Sequence, residues 1–323
     1  MINKCTIIGL GQIGMGYDLT LDSKKFVYTH ARAFSTHPKF ELLSAVDPKK
    51  AQRDLFMQYY DKPAYTSIAT ALQTQMPDVI VIASPTEYHS LTLKEVLRYS
   101  SPKAILCEKP LSYNLSEARN MVEDCKKAGV DLFVNYIRRA DYGAIEIKRR
   151  IEFGEIVSPI KGVVWYSKGF LHNGSHFFNL LEFWLGAFVN AKILNHGRLL
   201  NYKDSEPDVQ VEFERGKVIF ISAWEEAFSH YTIELLSKSG RLRYDKGGEL
   251  ITWQLSHEDP NINGYKILKD IPETISNDMS RYQWHITDQL HNAISAKPHT
   301  LSTGNQSLTT LEAMNKIINE RQL

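Results

Sequence analysis

The sequence predicts an α/β chain of two domains: a doubly wound parallel sheet over residues 1–135, then an α+β domain with a large, mainly antiparallel sheet over residues 136–323. Three observations carry this reading. A length of 323 residues exceeds one ordinary core and suits two domains of about 130–190 residues each. Strand and helix patterns alternate as far as Asn135, which calls for parallel strands joined by crossover helices. Beyond Asn135 the patterns are mostly strands joined by short glycine turns, which pair as antiparallel hairpins.

Taken in order, residues 4–8 are a short apolar strand and 41–46 a second, ending at Asp47. Residues 78–83 are apolar on both faces, as a strand inside a parallel sheet must be. Residues 104–107 and 131–134 supply two more strands. Helical patterns at 48–60, 67–75, 88–99 and 116–128 lie between them, the last stopping at Gly129, a C-terminal cap. A polar helix at 143–153 leads to a strand at 160–167 and an apolar helix at 175–185. Strands follow at 209–213, 218–224, 231–237, 241–244 and 250–255, punctuated by Arg215-Gly216-Lys217, Lys238-Ser239-Gly240 and Lys246-Gly247-Gly248. Helices at 281–296 and 306–322 follow.

Composition excludes several classes. A formal charge of +1 leaves no electrostatic footprint for nucleic acid. Cys5, Cys107 and Cys125 are odd in number and lack metal-ligand spacing, so they read as reduced thiols in a cytoplasm. No window approaches the run of about eighteen apolar residues that a membrane span needs, and Cys5-Thr6-Ile7-Ile8 is too short for a signal peptide. The expectation is a soluble cytoplasmic protein with no metal, nucleic-acid or membrane partner.

Gly9-Leu10-Gly11-Gln12-Ile13-Gly14 matches G-x-G-x-x-G directly after the first strand, the context that gives the pattern weight. Glycines here serve a tight turn, close approach of a pyrophosphate and packing of the next helix, whose free N–H groups face the phosphates. Asp47 ends the second strand, where a carboxylate accepts hydrogen bonds from an adenosine ribose and repels a 2′-phosphate. That favours NAD, while Lys49 and Lys50 keep NADP as the alternative. Asp47 can equally cap the following helix. From Gly9 to Asp47 the interval is 38 residues, against roughly twenty in the pattern. The excess falls on residues 17–28, polar and aperiodic from Tyr17 to Tyr28, which read as an inserted loop.

Three further segments stand at strand ends: Ala83-Ser84-Pro85-Thr86-Glu87-Tyr88-His89, Cys107-Glu108-Lys109-Pro110 and Asn135-Tyr136-Ile137-Arg138-Arg139. With the glycine loop, the set resembles the glucose–fructose oxidoreductase, inositol dehydrogenase and rhizopine-catabolism (Gfo/Idh/MocA) family over nearly the whole chain. The resemblance implies a Rossmann domain holding NAD(P), with Lys109 beside the nicotinamide and a cis peptide before Pro110. An ammonium there can stabilise negative charge developing on a reacting oxygen. Glu108 would orient Lys109 or the cofactor. Ser84, Pro85, Thr86 and His89 match the segment lining the nicotinamide half, although His89 reads equally well as a helix-start ring packed inward.

Residues 169–179, Gly-Phe-Leu-His-Asn-Gly-Ser-His-Phe-Phe-Asn, resemble the family's D-x-G-x-H-x-x-D. His176 matches its histidine, a general base or acid whose imidazole titrates near working pH. His172 and Asn179 replace the two acids of the pattern. The expectation is that His172 shares in proton transfer, and that Asn173, Asn179, Asn135 and Arg138 bind substrate hydroxyls. Trp165, Tyr166, Trp224 and Trp253 read as sheet packing or a subunit face, and His285 and His291 as solvated helix positions.

The resemblance implies hydride transfer between nicotinamide and a sugar, inositol or nucleotide-sugar carbon, with a substrate hydroxyl between Lys109 and His176. It also implies a homodimer or homotetramer formed through the C-terminal sheet. Two other readings stand beside it. One is a lyase or epimerase-like enzyme using tightly bound NAD transiently; the other is a non-enzymatic NAD(P)-binding regulator, kept in view by the two missing acids.

Overall fold

The protein is described by a computed structural model covering residues 2–200, 204–225 and 227–319. The chain divides into two compact units, Met1–Ala140 with Ser280–Thr309, and Asp141–Met279 with the segment from Thr310 onward.

The first unit opens with strands β1 (Asn3–Ile8), β2 (Phe40–Val46), β3 (Ala64–Tyr65), β4 (Val79–Ile82), β5 (Ala104–Cys107) and β6 (Asp131–Val134). Between them run α1 (His30–Thr36), α2 (Lys50–Tyr60), α3 (Ile68–Thr74), α4 (His89–Tyr99) and α5 (Leu115–Ala128). The parallel order is β6-β5-β4-β1-β2-β3, so the winding reverses beside β1. Every residue of β4 and β5 is buried, because helices cover both faces of such a sheet. Register aligns the strand ends. Ile8 pairs with Val46 and Ile82, Ile82 with Cys107, and Cys107 with Val134. The residues after these strands therefore emerge along one edge of the sheet, where ligands bind in open α/β folds.

The expected helix directly after the glycine loop is not continuous. Gly11–Gly14 make a single turn, with Met15 N–H bonded to Gly11 O at 2.9 Å, and α1 begins only at His30. His30 and Ala31 nevertheless donate to Ile13 O and Gly14 O, at 3.1 and 2.9 Å. The insertion thus splits a helix and the chain resumes it in register. Its span is residues 15–29, slightly wider than the polar stretch. Polarity at its centre has a structural reason: buried Asp18 accepts from Tyr28 N, Thr29 N and Thr29 Oγ1 at 2.7–3.0 Å. Arg32 donates to Leu21 O and Phe26 O, both at 3.1 Å, closing the loop from the other side.

In the second unit α6 (Tyr142–Glu152) is followed by β7 (Ile160–Tyr166), α7 (Ser175–Leu185), β8 (Phe188–Leu200), β9 (Asp204–Phe213) and β10 (Gly216–Ser222). Next come β11 (Thr232–Ser237), β12 (Gly240–Asp245), β13 (Leu250–Glu258), β14 (Lys266–Leu268) and β15 (Glu273–Thr274). The sheet order is β14-β13-β12-β11-β7-β10-β9-β8, with β15 on β13. Its pairs are antiparallel except β7 with β10. The sequence reading has no strand at β8. That strand lies at the sheet edge, its residues exposed or half-buried, and its pairing slips register at three places, so it has no apolar alternation to read. Under the sheet Phe170, Phe178, Phe213 and Phe220 pack ring against ring. Trp184 Nε1 donates to Ala144 O at 2.9 Å, tying α7 to α6.

The chain then returns to the first unit through α8 (Tyr282–Ile294) and β16 (Ser302–Thr303), which pairs antiparallel with β6, and enters α9 (Gly304–Asn319). This corrects the division at residues 135 and 136. Ile286, Leu290 and Leu301 join the same core as Ile7, Phe34 and Val81. His285, expected in solvent, is buried. The sequence reading carries the last helix to residue 322; residues 320–322 lie outside the described ones.

Candidate active site

The three glycines of the first loop are required for different reasons. Gly9 has φ +102°, and a Cβ there would lie 2.6 Å from the Ala83 carbonyl carbon and from Ser84 N. At Gly14 a Cβ would fall 2.1 Å from Gly9 O. A Cβ at Gly11 meets nothing within 4 Å. Gly9 and Gly14 therefore serve the turn and its packing, while Gly11 leaves open space against the backbone, the cradle a pyrophosphate needs. Gln12 is exposed on this turn, and Ile13 anchors it against the core. Asp47 Oδ2 accepts from Leu10 N and Oδ1 from Lys49 N, both at 2.8 Å. The carboxylate so pins the glycine loop to the chain just before α2, and each oxygen keeps a lone pair for a ribose hydroxyl.

After β4, Ser84 Oγ is buried and has no hydrogen-bond partner among the described residues. Pro85 and Thr86 start the short turn into α4. His89 is fully buried rather than facing a ligand. Its Nε2 lies 2.9 Å from Ser84 O, and its Nδ1 3.2 Å from both Pro110 O and Leu111 O. Burial lowers its pKa against the pull of those carbonyls. The ring holds the loop after β4 to the loop after β5, which corrects the expectation of a cofactor-facing side chain.

After β5, Glu108 Oε1 accepts from His30 Nε2 at 2.7 Å and from Asn135 Nδ2 at 2.6 Å. Its Oε2 takes Lys109 N at 3.3 Å. Burial would raise the Glu108 pKa, but the bond and charge of His30, the bond from Asn135 and the charge of Lys109 hold it below the ordinary value. The Lys109–Pro110 peptide is cis. Asn135 is buried, with its amide nitrogen bonded to Glu108 and to Gln283 Oε1 at 3.1 Å, and its Oδ1 has no hydrogen-bond partner among the described residues. Arg138 lies buried on the turn Ile137–Ala140. Sequence reasoning misses His30 because the insertion separates it from the glycines, and misses Gln283 because it puts α8 in the other domain.

In the second unit a wide turn, Gly169–Gly174, leads into α7. Lys168 and Gly169 are both left-handed, φ +63° and +91°. Two carboxylates from β9 hold this turn: Asp204 accepts from Leu171 N and His172 N at 3.0 and 2.8 Å, and Glu206 from Gly169 N at 2.9 Å. Burial, with Glu206 nearby, raises the Asp204 pKa although those backbone bonds oppose it. Arg198 Nε pairs with Glu206 Oε2 at 2.6 Å. His172 is exposed and His176 half-buried on the first turn of α7. Asn173 Nδ2 donates to Tyr231 Oη at 2.6 Å. Asn179 is buried and donates to Thr310 Oγ1 at 3.0 Å, so it packs α7 against α9 rather than reaching a substrate. Trp224 sits just past β10 in a left-handed conformation, half exposed. Among the described residues no cluster of three or more metal-ligating side chains occurs, and no helix is long and apolar enough to cross a membrane.

Residues 4–136 match a family model described as an oxidoreductase family with an NAD-binding Rossmann fold. The scyllo-inositol 2-dehydrogenase (NAD(+)) of Bacillus subtilis is 28% identical over 245 residues, spanning 66% of this chain and 64% of that protein. That is just under two thirds of the relative's own length. The 2,7-anhydro-N-acetylneuraminate hydratase of Escherichia coli is 22% identical over 317 residues, 90% of this chain and 79% of that protein. Among solved structures, an NAD binding oxidoreductase from Klebsiella pneumoniae superimposes with TM-score 0.76 at 16% identity, covering 100% of this chain and 98% of the other. The WlbA dehydrogenase from Bordetella pertussis, in complex with NADH and UDP-GlcNAcA, gives 0.74 at 17% identity with the same coverage. Both likenesses concern the fold.

Proposed function

We propose that the chain is a member of the Gfo/Idh/MocA oxidoreductase family, whose model its residues 4–136 match, and that it is an NAD-dependent dehydrogenase oxidising a CH–OH group of a sugar, inositol or nucleotide sugar. The observation that carries this reading is the edge of the first sheet. Aligned strand ends bring out the glycine turn, Asp47, Ser84 and the Glu108–Lys109 pair side by side. The open backbone at Gly11 and the partnerless Ser84 Oγ fit a dinucleotide. The charge of Asp47 favours NAD, with NADP the weaker alternative.

Bound nicotinamide supplies the hydride acceptor; the chain supplies position and charge. Gly11 lets the backbone meet the phosphates, and Gln12 and Ile13 shape the turn. Asp47 takes the ribose, while Ser84, Pro85 and Thr86 border the nicotinamide half. We assign the Lys109 ammonium to the reacting oxygen, where it offsets developing negative charge. His176 accepts the hydroxyl proton, His172 offers a second imidazole, and Asn173 and Arg138 bind substrate oxygens.

A second reading, in which NAD is reduced and reoxidised within one turnover, is favoured by the likeness to the hydratase over 90% of the chain. Net NADH accumulation separates the two. We also propose a cytoplasmic homodimer or homotetramer formed through the second sheet, one of whose faces carries half-exposed Val163, Trp165, Ile219 and Ile221; light scattering on the purified protein reads this directly. The decisive experiment is calorimetric titration with NADH and NADPH, followed by a screen of inositols and sugars with Lys109→Ala as control. Tight NADH binding, and a turnover that falls by about 10²-fold or more in Lys109→Ala with cofactor affinity kept, is expected. Absence of dinucleotide binding refutes the reading.

A further inference from the structure

The insertion at residues 15–29 is held at both ends, yet no step of the proposed reaction uses it. Its start is a wide turn: Gly16 N–H and Tyr17 N–H reach back five residues, to Gly11 O at 3.1 Å and Gln12 O at 3.0 Å. That turn leaves Tyr17 57% exposed, so packing does not account for its ring. The far end is stitched to the start of α8, where Val27 N donates to Ser280 O at 3.0 Å and Gln283 N to Val27 O at 3.2 Å. Beside those bonds Tyr28 stacks on Tyr282, with ring centroids 5.2 Å and planes 20° apart. Both rings are half-buried, and all of these residues belong to the first unit.

The stacked pair adjoins the ends of β5 and β6. Gln283, next to Tyr282, bonds Asn135, and His30, two residues beyond Tyr28, bonds Glu108. Burial, then the charge of Glu108, and then Tyr17, Asp18 and Tyr28 push the Tyr282 hydroxyl far above the ordinary phenol range. Tyr282 is therefore a neutral phenol, able to donate and to accept, and phenols from two separate segments gather around it beside the Glu108 carboxylate. Tyrosine combines a flat ring whose face is electron-rich with a polar tip. A cyclic polyol presents the matching surfaces: C–H groups on the faces of its ring and hydroxyls round its rim. An open-chain polyol has no flat face to lay on an aromatic ring, and it loses more torsional freedom when held.

Resting on the dehydrogenase reading above, we propose that Tyr17, Tyr28 and Tyr282 form a specificity wall beside the Glu108–Lys109 segment, and that this wall selects a cyclic polyol, a pyranose or cyclitol, over an open-chain one. The build of the insertion fits that role. Asp18 takes Tyr28 N, Thr29 N and Thr29 Oγ1 at 2.7–3.0 Å, so Tyr28 is in place before a substrate arrives and little binding energy goes into ordering it. The same bonds give the polar, aperiodic stretch its purpose: the chain leaves the helix to deliver two tyrosines and then resumes it.

The first test is binding, which needs no turnover. Full-length protein in the presence of NADH is titrated calorimetrically with myo-inositol, scyllo-inositol and D-glucose, and with D-glucitol as the open-chain control. A ring probe should bind about tenfold or more tighter than D-glucitol. Tyr17→Ala and Tyr28→Ala should each weaken that ring probe about tenfold and so erase the preference, with NADH affinity within about threefold of wild type. Tyr28→Phe keeps the stacked ring and should stay within about threefold of wild type. An insertion that only braces α8 would lower Tm in Tyr28→Ala and leave the preference of Tyr17→Ala intact. No ring probe bound, equal affinity for ring and open-chain probes, or a preference kept in either alanine variant overturns the proposal. Turnover separates the two readings. If ring probes bind through the wall but no NADH forms from NAD, the dehydrogenase reading fails and the wall stands. With a substrate that is turned over, Tyr17→Ala should raise KM about tenfold with kcat within about threefold; a fall in kcat alone overturns the wall.

Discussion

Alanine at Gly11 and at Gly14 should separate ligand binding from folding. At Gly14 a new methyl would stand 2.1 Å from Gly9 O, more than an ångström inside contact distance, with backbone on both sides. Neither atom can swing away, so the turn must open. Overpacking against backbone costs about 3 kcal/mol, which for a unit of this size lowers Tm by about 6–12 °C. At Gly11 the same methyl meets nothing within 4 Å. Alanine there loses less chain entropy on folding and adds about 0.4–1 kcal/mol of stability, so Tm should hold or rise by about 1–4 °C. If a pyrophosphate occupies that open space, the methyl displaces it, and NADH affinity should fall at least about tenfold, or about 1.4 kcal/mol. Differential scanning calorimetry and NADH titration on both variants read the two quantities independently. A Gly11→Ala protein that binds NADH as well as wild type would refute the placement of the phosphates; an unchanged Tm in Gly14→Ala would refute the packing argument.

Two further outcomes are expected of the same structure. Leu290→Ala removes a fully buried side chain from the segment that returns to the first unit; it should cost about 2–5 kcal/mol, read by urea unfolding, and an effect below about 1 kcal/mol would argue against that segment's place in the core. Asp204 has its pKa raised in the folded state by burial, with Glu206 adding to the rise, so the stability linked to it is present at low pH and is lost as pH climbs from the unfolded carboxylate value through the raised one. Asp204→Asn removes that loss, so its stability relative to wild type should improve as pH rises above the unfolded carboxylate value of about 3.9; a relative stability that worsens as pH rises there would contradict the assignment.

How much of the fold and the site is legible in the sequence depends on where each residue's partners lie. Strands β4 and β5 are readable because both their faces are buried, leaving an unbroken apolar run. The glycine loop and the Glu108-Lys109-Pro110 segment are readable because their chemistry is local to a few adjacent residues. Strand β8 is not, since one edge and much of its surface face water. The apolar stripe of α8 announces a packed helix but cannot say which core receives Ile286 and Leu290. His89 and Asn179 carry residue types that suit ligands, yet their partners are backbone carbonyls and Thr310 inside the fold. Their roles follow from burial, which composition does not reveal. A signal for the β9 carboxylates exists: Asp204, Glu206 and Asp208 alternate at period two before an apolar strand, a pattern that sets one face of a strand acidic.

Those carboxylates bear on what replacement of the pattern's two acids by His172 and Asn179 means. A carboxylate can help a histidine in two separable ways, by fixing where the chain holds it and by bonding the ring, which sets its tautomer and raises its basicity. Asp204 and Glu206 supply the first from a neighbouring strand. They take the N–H groups of Gly169, Leu171 and His172, and the close fit of Asp204 against Gly169 leaves no room for a Cβ there. The bonds they make run to the backbone, so they fix the path of the turn and the start of α7. Asn179, meanwhile, anchors α7 through Thr310. Position of the histidine segment is thus preserved by other means, and the substitution of the two acids bears on the basicity of the imidazoles. On the proposed reading, replacing an acid by a histidine here changes which side chains can exchange a proton without dismantling the loop that carries them.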